Sequence, residues 1–191
     1  MTHYTSSVSA LGTATLTCVV TDPDGDPPSF DWYCSAGQLS SKTTQSVTWT
    51  APLKSGTVII GVYASDDKGA SDTLLASTTV TPVSTTLWNW DGSVTAGYYT
   101  YNSGYIPAGY TVSGSFYVDA LDISFWIMDA ANFAVFQSGQ SASAIWGASR
   151  SSGTSFSAIV PTSDTYYFVL DNRYSLFTDK SAHVIVEATT P

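Results

Sequence analysis

Five aspartates in two turns are the residues of this sequence with the clearest potential for chemistry: Asp22, Asp24, Asp26, Asp66 and Asp67. The first three alternate along one loop, and alternating carboxylates can converge on a calcium ion, which takes about six to eight oxygen ligands. The loop lacks the closing glutamate of an EF-hand. The alternative is that these aspartates form Asx-turns with their own backbone amides. The sequence leaves both interpretations open, and calcium is the cofactor that it indicates.

The two cysteines, Cys18 and Cys34, stand on either side of the first of these loops. Alternation along each strand places both on the predicted inward face. If the strands lie in opposite sheets, a disulfide would close a loop of about 16 residues and stabilise the fold by about 3 kcal/mol. Two buried free thiols are the alternative. We expect the disulfide, because the composition is that of an exported protein.

Aromatic side chains form two further candidate binding groups. Trp88 and Trp90 point to one face of a predicted strand, and carbohydrate-binding modules use exposed planar rings of this kind. The alternative, which we favour, is that the pair packs against the first domain, since aromatic side chains often fill interfaces. Tyr98, Tyr99 and Tyr101 begin a tyrosine-rich segment. If exposed, it predicts a contact surface, because tyrosine gives contact area at a low entropy cost.

Residues for catalysis are few. The two histidines are His3, near the start of the chain, and His183, beside which the sequence places no serine or aspartate partner. Glu187 is the single glutamate, which excludes a glutamate-based acid–base pair. Asp119 and Asp122 lie in a polar turn, where burial does not raise a carboxyl pKa. Neither a nucleophile elbow nor a zinc-protease motif is present. We therefore expect a protein that is not an enzyme.

Composition excludes several classes of partner. The 191 residues include 6 Lys and Arg against 15 Asp and Glu, a formal net charge of −9. Nucleic acids and anionic membrane surfaces both require clustered basic residues. No stretch reaches the about 20 apolar residues of a membrane-spanning helix, so we expect no membrane insertion. The cysteines and the many Ser and Thr residues indicate an extracellular or cell-surface location.

Short alternating segments separated by turn residues run through the whole chain, which predicts an all-β fold of two tandem β-sandwiches, Ig-like and then jelly-roll. The first half has predicted strands at residues 14–21, 30–34, 47–50, 57–65 and 73–81. Those of the second half are at 88–90, 96–101, 111–118, 123–129, 133–138, 143–148, 154–160, 166–172 and 183–188. Residues 129–136 are the best helical candidate, which we interpret as a turn or a single helical turn between strands.

The first half also carries an ordered series of motifs. They are Leu16-Thr17-Cys18, Asp22-Pro23-Asp24-Gly25-Asp26-Pro27, Phe30-Asp31-Trp32, Val47-Thr48-Trp49-Thr50-Ala51-Pro52, Gly56 and the strand from Val58. Over residues 8–82 this order resembles the Ig-like/PKD family of bacterial and archaeal extracellular proteins, which are usually spacers or interaction modules. An Ig-like sandwich would place both aspartate loops at one end. The leading strand before Leu11 is short, so the first edge of the sandwich is expected to be incomplete.

The second half has a weaker series of motifs. They are residues 155–161 (Ser-Phe-Ser-Ala-Ile-Val-Pro), 165–172 (Thr-Tyr-Tyr-Phe-Val-Leu-Asp-Asn), Ser175-Leu176-Phe177, Lys180 and Val184-Ile185-Val186. Over residues 113–188 they look like a GOLD sandwich, as in emp24/p24 proteins. The resemblance implies a domain for protein–protein contact, with Asn172 capping a turn and Lys180 at the surface. We place the domains at residues 1–82 and 83–191, with the border near Pro82.

These observations favour a non-catalytic structural or interaction module of a prokaryotic cell-surface or extracellular assembly. Its partners would be other proteins or copies of itself, joined into a filament or layer by strand donation at the incomplete edge. The alternative is a carbohydrate-binding accessory module of a secreted hydrolase, with a glycan as partner. A spacer with no ligand is the third interpretation.

Overall fold

The computed structural model describes residues 7–191 and has an all-β fold, with fifteen strands and one short helix in that part of the chain. The predicted fold class, all-β with β-sandwiches, is confirmed. The chain divides into two compact units, which we call unit 1 (Met1–Val83 with Thr190–Pro191) and unit 2 (Ser84–Thr189). No helix in residues 7–191 is long and apolar enough to span a bilayer.

Seven of the strands belong to unit 1. They are β1 (Ser7–Ser9), β2 (Thr13–Thr17), β3 (Ser29–Cys34), β4 (Gln38–Leu39), β5 (Ser46–Thr50), β6 (Gly56–Ser65) and β7 (Ser71–Thr81). One sheet has the order β1-β7-β6-β3 and the other the order β2-β5-β4. Within residues 7–191, Thr79 to Thr81 of β7 pair with β1 in parallel. Alternation places one side of each sheet in the core.

Two tryptophans organise the core of unit 1. Trp32 on β3 and Trp49 on β5 are fully buried. The Trp32 indole N–H donates to the Thr44 carbonyl (2.9 Å), and the Trp49 indole N–H donates to the Ala36 carbonyl (3.0 Å). Burial of an indole is favourable only if its N–H finds an acceptor, so these two bonds fix the loop before β5 and the turn after β3.

Strand β2 is shorter than its sequence pattern. Alternation predicts a strand over residues 14–21, but β2 ends at Thr17, and Val19 and Val20 are exposed. The reason is the partner strand: β5 begins at Ser46, opposite Thr17, and Cys18 makes the last backbone bond across to Gln45. Residues beyond Cys18 therefore have no neighbour in that sheet, and this end of the unit 1 core stays partly open.

The remaining strands form unit 2. They are β8 (Ser84–Val94), β9 (Tyr99–Ile106), β10 (Thr111–Val118), β11 (Ile123–Asp129), β12 (Trp146–Ser151), β13 (Gly153–Ile159), β14 (Asp164–Asp171) and β15 (Lys180–Thr189). They make two four-stranded antiparallel sheets, β13-β10-β15-β8 and β12-β11-β14-β9. The core between them contains Phe116, Phe125 and Phe156, with ring centroids 5.1 Å apart in the Phe116–Phe125 and Phe125–Phe156 pairs.

The segment after β11 is a regular helix, α1 (Ala130–Gln137), and not the turn or the strand over residues 133–138 that the sequence suggested. Asp129 caps it by accepting a hydrogen bond from the Asn132 backbone N–H (2.8 Å). Phe133 and Phe136, three residues apart, share one side of the helix and are buried. Their burial on the outward side of the second sheet offsets the low stability of so short a helix.

Candidate functional site

The aspartate loops are held by their own backbone. Asp22 Oδ1 accepts hydrogen bonds from the N–H groups of Asp24 (2.7 Å) and Gly25 (2.9 Å). Asp66 Oδ1 accepts from the N–H groups of Lys68 and Ala70 in the same way. These are Asx-turns, the metal-free alternative that the sequence left open.

The expected calcium site does not assemble. The Asp26 carboxylate forms an ion pair with the Lys68 ammonium (2.5 Å), so its charge is already neutralised by a side chain. Asp24 and Asp67 are exposed on their separate loops. No group of three or more potential metal ligands comes together within residues 7–191. The physical reason is local: each turn uses its carboxylate to satisfy backbone N–H groups, so the oxygens do not converge.

The predicted disulfide is not formed, and both cysteines are free thiols. Cys34 pairs with Ile60 at one end of the β3–β6 ladder, and its Sγ donates to the Gly37 carbonyl (3.8 Å). Cys18 lies beside Ala64, toward the other end of the same ladder. The two residues share an inward direction but differ in height along the sandwich, which the alternation of the strands does not reveal.

The tryptophan pair is not a surface site. Trp88 is buried in the core of unit 2, and Trp90 is half-buried against the same core, with the two ring centroids 5.8 Å apart. Trp90 lies directly over Gly92, where any Cβ would overlap its ring. The pair therefore contributes packing inside unit 2.

Tyrosines define a different surface, on the outward side of the sheet β12-β11-β14-β9. Tyr99, Tyr101 and Tyr105 alternate along the edge strand β9, Tyr167 is on the adjacent β14, and Phe133 of α1 packs among them. We call these five residues the aromatic face. Phe133 and Tyr167 are stacked at 4.0 Å, and the Tyr101 ring lies 4.8 Å from Phe133 and 5.8 Å from Tyr167.

Exposure increases along the aromatic face. Tyr99 is half-buried, with its ring edge-on to Phe136 at 5.1 Å. Tyr101 is 47% exposed and Tyr105 is 67% exposed. Tyr98, in the turn that precedes β9, is also 67% exposed. The condition that the sequence analysis set, exposure of this segment, is met at Tyr98, Tyr101 and Tyr105. The contributions of Phe133 and Tyr167 depend on the helix and on strand pairing.

The charged groups beside the aromatic face are engaged with each other. Asp171 accepts two hydrogen bonds from the Arg173 guanidinium, at 2.9 Å (Nε) and 3.0 Å (Nη2). The guanidinium also lies 3.8 Å over the Phe136 ring and donates to the Phe136 carbonyl. Asp129 is used by the helix cap. The face thus offers exposed rings without a free cation or anion among the residues that build it.

His183 has partners that sequence reasoning missed. Its Nδ1 lies 2.5 Å from Asp91 Oδ1 and its Nε2 lies 3.1 Å from Asp119 Oδ1, while its ring stacks on Tyr117 at 4.3 Å. The hydrogen bond to Asp91 above all, with that to Asp119, raises the pKa of the imidazole. Both nitrogens lie against carboxylates, an arrangement that favours the protonated imidazole, and we call these three residues the histidine clamp.

A second polar cluster contains Asp122, Tyr174, Arg150 and Lys180. Tyr174 donates its hydroxyl hydrogen to the Asp122 carbonyl (2.6 Å) and carboxylate (2.9 Å). Burial and the hydrogen bond to Asp122 raise the pKa of Tyr174 to about 12, and the Tyr174 hydrogen bond lowers the pKa of Asp122. Lys180 is only 4% exposed and lies 4.0 Å from Asp122, so the expected surface position of Lys180 is wrong.

Asn172 is fully buried at the turn after β14. Its side-chain amide donates to the carbonyls of Val94 (3.0 Å) and Thr178 (2.9 Å), and its backbone carbonyl accepts from the Ser175 N–H (3.1 Å). These bonds close the loop that follows, in agreement with the capping role expected for this residue.

No protein-family model and no curated protein matches this sequence. Among solved structures, the chain is similar to SGBP-B of the Bacteroides ovatus mixed-linkage glucan utilization locus in complex with a mixed-linkage heptasaccharide. The identity is 14% and the TM-score 0.32, over 95% of this chain and 50% of that one. This chain therefore spans about half the length of that protein.

Two other solved structures are similar to a comparable degree. A carbohydrate-binding module of the β-sandwich superfamily is 12% identical, with a TM-score of 0.35 over 97% of this chain and 88% of the module. Tripeptidyl peptidase 2 is 7% identical, with a TM-score of 0.36 over 96% of this chain and 19% of the peptidase. Similarities of this strength carry no argument about function, which rests on the side chains of this chain.

Proposed function

We propose that this protein is a non-catalytic extracellular binding module whose unit 2 binds a neutral polysaccharide on the aromatic face. Tyr101 and Tyr105 would stack on two separate rings of the same sugar chain. The observation that carries the proposal is a row of exposed tyrosines on one side of a single edge strand, held by packed aromatic neighbours.

Preorganisation supports this function. The Tyr101 ring rests against Phe133 and Tyr167, both of which are themselves fixed by stacking on each other. A ring that is already held in place loses little side-chain entropy when a ligand stacks on it. Tyr101 and Tyr105 are four residues apart on an extended strand, which separates them by about 13 Å, enough for an extended chain of several sugars to cross both.

Charge supports a neutral ligand. The net charge of −9 repels anionic polymers, and Arg173 is committed to Asp171 and the Phe136 ring. Ser103, exposed between Tyr101 and Tyr105 on the same side of β9, offers a hydroxyl to a sugar. Hydroxyl partners and aromatic rings without free charges match an uncharged polyhydroxylated chain better than they match a uronate or a nucleic acid.

The experiment is affinity gel electrophoresis of the whole chain through gels that contain soluble mixed-linkage β-glucan, xylan or mannan. Tyr101→Ala and Tyr105→Ala are each expected to weaken binding about tenfold, which corresponds to about 1.4 kcal/mol. Tyr117→Ala is the matched control, since Tyr117 is 52% exposed but lies on the other sheet. Unretarded migration of the wild type in every gel, or an equal loss for Tyr117→Ala, would contradict the proposal.

Self-assembly by strand donation stays a prediction. It rests on the short leading strand before Leu11 in the sequence.

A further inference from the structure

Strand β9 is the last strand of its sheet, so one of its two sides has no neighbouring strand in the part of the chain that the structure describes. A strand at such an edge presents backbone N–H and C=O groups that no ladder uses. In an antiparallel pair, alternate residues direct these groups toward the partner strand and away from it. The open side of β9 therefore carries the backbone groups of every second residue.

Two hydrogen bonds show which residues these are. The Ser103 N–H donates to the side-chain carbonyl of Asn102 (2.9 Å) and not to β14. On β14, the N–H of Thr165, which lies opposite Tyr105, donates to the Asp164 carboxylate (2.7 Å) and not to β9. Both bonds indicate that the odd-numbered residues of β9 direct their backbone groups away from β14.

The same residues carry side chains of the aromatic face. Tyr101, Ser103 and Tyr105, which we call the β9 edge, present two exposed rings, an exposed hydroxyl between them and the outward backbone groups. Successive members are two residues apart, or about 6.5 Å on an extended strand. Because all of these features lie on one line, a ligand that contacts all three residues must run along the strand.

We propose that the β9 edge binds a linear, extended glycan that lies parallel to the strand, such as a β-1,4-linked xylan or mannan. The two tyrosine rings are stacking subsites, and the Ser103 hydroxyl with the outward backbone carbonyls is a polar subsite between them. This inference rests on the proposed function and adds the shape of the chain to it. An α-1,4-linked glucan coils, so it leaves the line of the strand before it reaches the second ring.

The β9 edge suits a glycan better than an added peptide strand. A peptide strand pairs with the N–H and C=O groups of an edge at regular intervals. The Ser103 N–H, in the middle of the row, is already bonded to Asn102, whose amide is held in turn by the Leu87 carbonyl (2.9 Å). Sugar hydroxyls donate to the remaining carbonyls and need no regular ladder, so this interruption does not affect them.

The experiment is isothermal titration calorimetry of the whole chain with β-1,4-linked xylo- and manno-oligosaccharides, from the disaccharide to the hexasaccharide. Affinity is expected to rise about tenfold once the oligosaccharide spans both rings, and to level off beyond that length. Tyr105→Ala should remove this rise, so that long oligosaccharides bind the variant no more tightly than short ones bind the wild type. Ser103→Ala should weaken the long oligosaccharides about threefold, the effect of one neutral hydrogen bond. Tyr117→Ala, on the other sheet, is the control.

The shape of the ligand is tested in affinity gels. Amylose, a coiled α-1,4-glucan, is expected to cause no retardation of the wild type, whereas linear xylan and mannan retard it. Equal retardation by amylose and xylan, or an affinity that does not change with oligosaccharide length, would overturn this inference and leave the proposed function intact. A wild type that binds no glycan at all contradicts both.

Pairing with a strand of another molecule is the competing use of the same edge. Analytical ultracentrifugation of the wild type measures it, and we expect no dimer that forms through β9. A dimer that grows with concentration and is lost in Ser103→Pro would overturn the inference, because proline on the open side of an edge strand blocks an added strand.

Discussion

The outward sides of the two sheets of unit 2 are stabilised by different forces. On the sheet β12-β11-β14-β9, aromatic rings pack on one another beneath α1. On the sheet β13-β10-β15-β8, the imidazole of His183 is clamped between two carboxylates and stacked on Tyr117. Each side displays one tyrosine of similar exposure, Tyr101 at 47% and Tyr117 at 52%.

The comparison teaches that exposure alone does not define a binding site. The Tyr117 ring is stacked by an imidazole of its own chain, nearly parallel at 13°, so one of its flat sides is already used. Tyr101 has only tilted contacts with its neighbours, and Tyr105 beside it has no close aromatic partner among the described residues. Buried aromatic rings stabilise the outward side of the sheet β12-β11-β14-β9, and charge pairing stabilises that of β13-β10-β15-β8. We therefore expect the first to respond to loss of a buried ring and the second to a change of pH.

The largest effect is expected from Phe133→Ala. Phe133 is buried beneath Tyr101 and Tyr167, and loss of a buried phenylalanine costs about 3–5 kcal/mol. The midpoint of the unfolding transition of unit 2 should move to a lower urea concentration. The variant should also lose its retardation in polysaccharide gels. Sodium chloride should not change the difference, since no charge is involved.

Phe133→Leu separates packing from ring stacking. Leucine retains most of the apolar volume, so this variant should lose less stability than Phe133→Ala while it still weakens polysaccharide binding. Equal stability of the wild type and Phe133→Ala would show that α1 is not a structural part of the aromatic face.

A smaller effect is expected from Asp129→Ala, which removes the cap of α1. The backbone N–H of Asn132, in the first turn of α1, then loses its acceptor. The free energy of unfolding of unit 2, measured from its urea transition, should fall by about 1 kcal/mol. Asp129→Asn should retain most of the stability, because asparagine caps helices nearly as well. A loss as large for Asn as for Ala would mean that the carboxylate charge, and not the cap, is what matters.

The smallest effect, and the one specific to the other sheet, is the pH dependence from His183. Its pKa is raised in the folded state above the usual 6.5, so the clamp stabilises the protein fully below that value. The stabilisation is lost as pH rises through the raised pKa. The melting temperature should therefore fall as pH rises above 6.5, as measured by differential scanning calorimetry.

His183→Gln is the control for this titration. It should flatten the pH profile over the same range, and Phe133→Ala should leave the shape of the profile unchanged. A melting temperature that rises with pH in the wild type would contradict the clamp, since it would require an imidazole whose folded pKa is lowered.

Much of the fold could be predicted from local pattern. Residues 111–118 alternate and residues 123–129 are mostly apolar, and these segments coincide with β10 and β11 because both strands have partners along their length. Strand ends were less predictable: β2 stops at Thr17 for want of a neighbour, and β8 extends to Val94 because β15 pairs with it throughout. The helix α1 was the best helical candidate of the sequence, but its length was underestimated because its stability comes from Phe133 and Phe136 packing on a sheet.

The candidate sites were harder to predict than the strands. Asp22 and Asp66 were identified as turn residues, and only their hydrogen bonds decided between the turn and the calcium interpretations. His183 lies 92 residues from Asp91 and 64 from Asp119, so no local pattern links them. Lys180 is buried and Phe177 is exposed, the opposite of what the polarity of each side chain suggests.

Period-two alternation and turn residues by themselves determined that the chain folds into β-sandwiches, because side-chain direction along a strand is a local property. The tertiary structure alone decided which aromatic residues reach the surface and which cysteines approach each other. Those outcomes depend on strand order and register, which join residues far apart in sequence, and so Trp88 is buried, Tyr101 is exposed and Cys18 stays apart from Cys34.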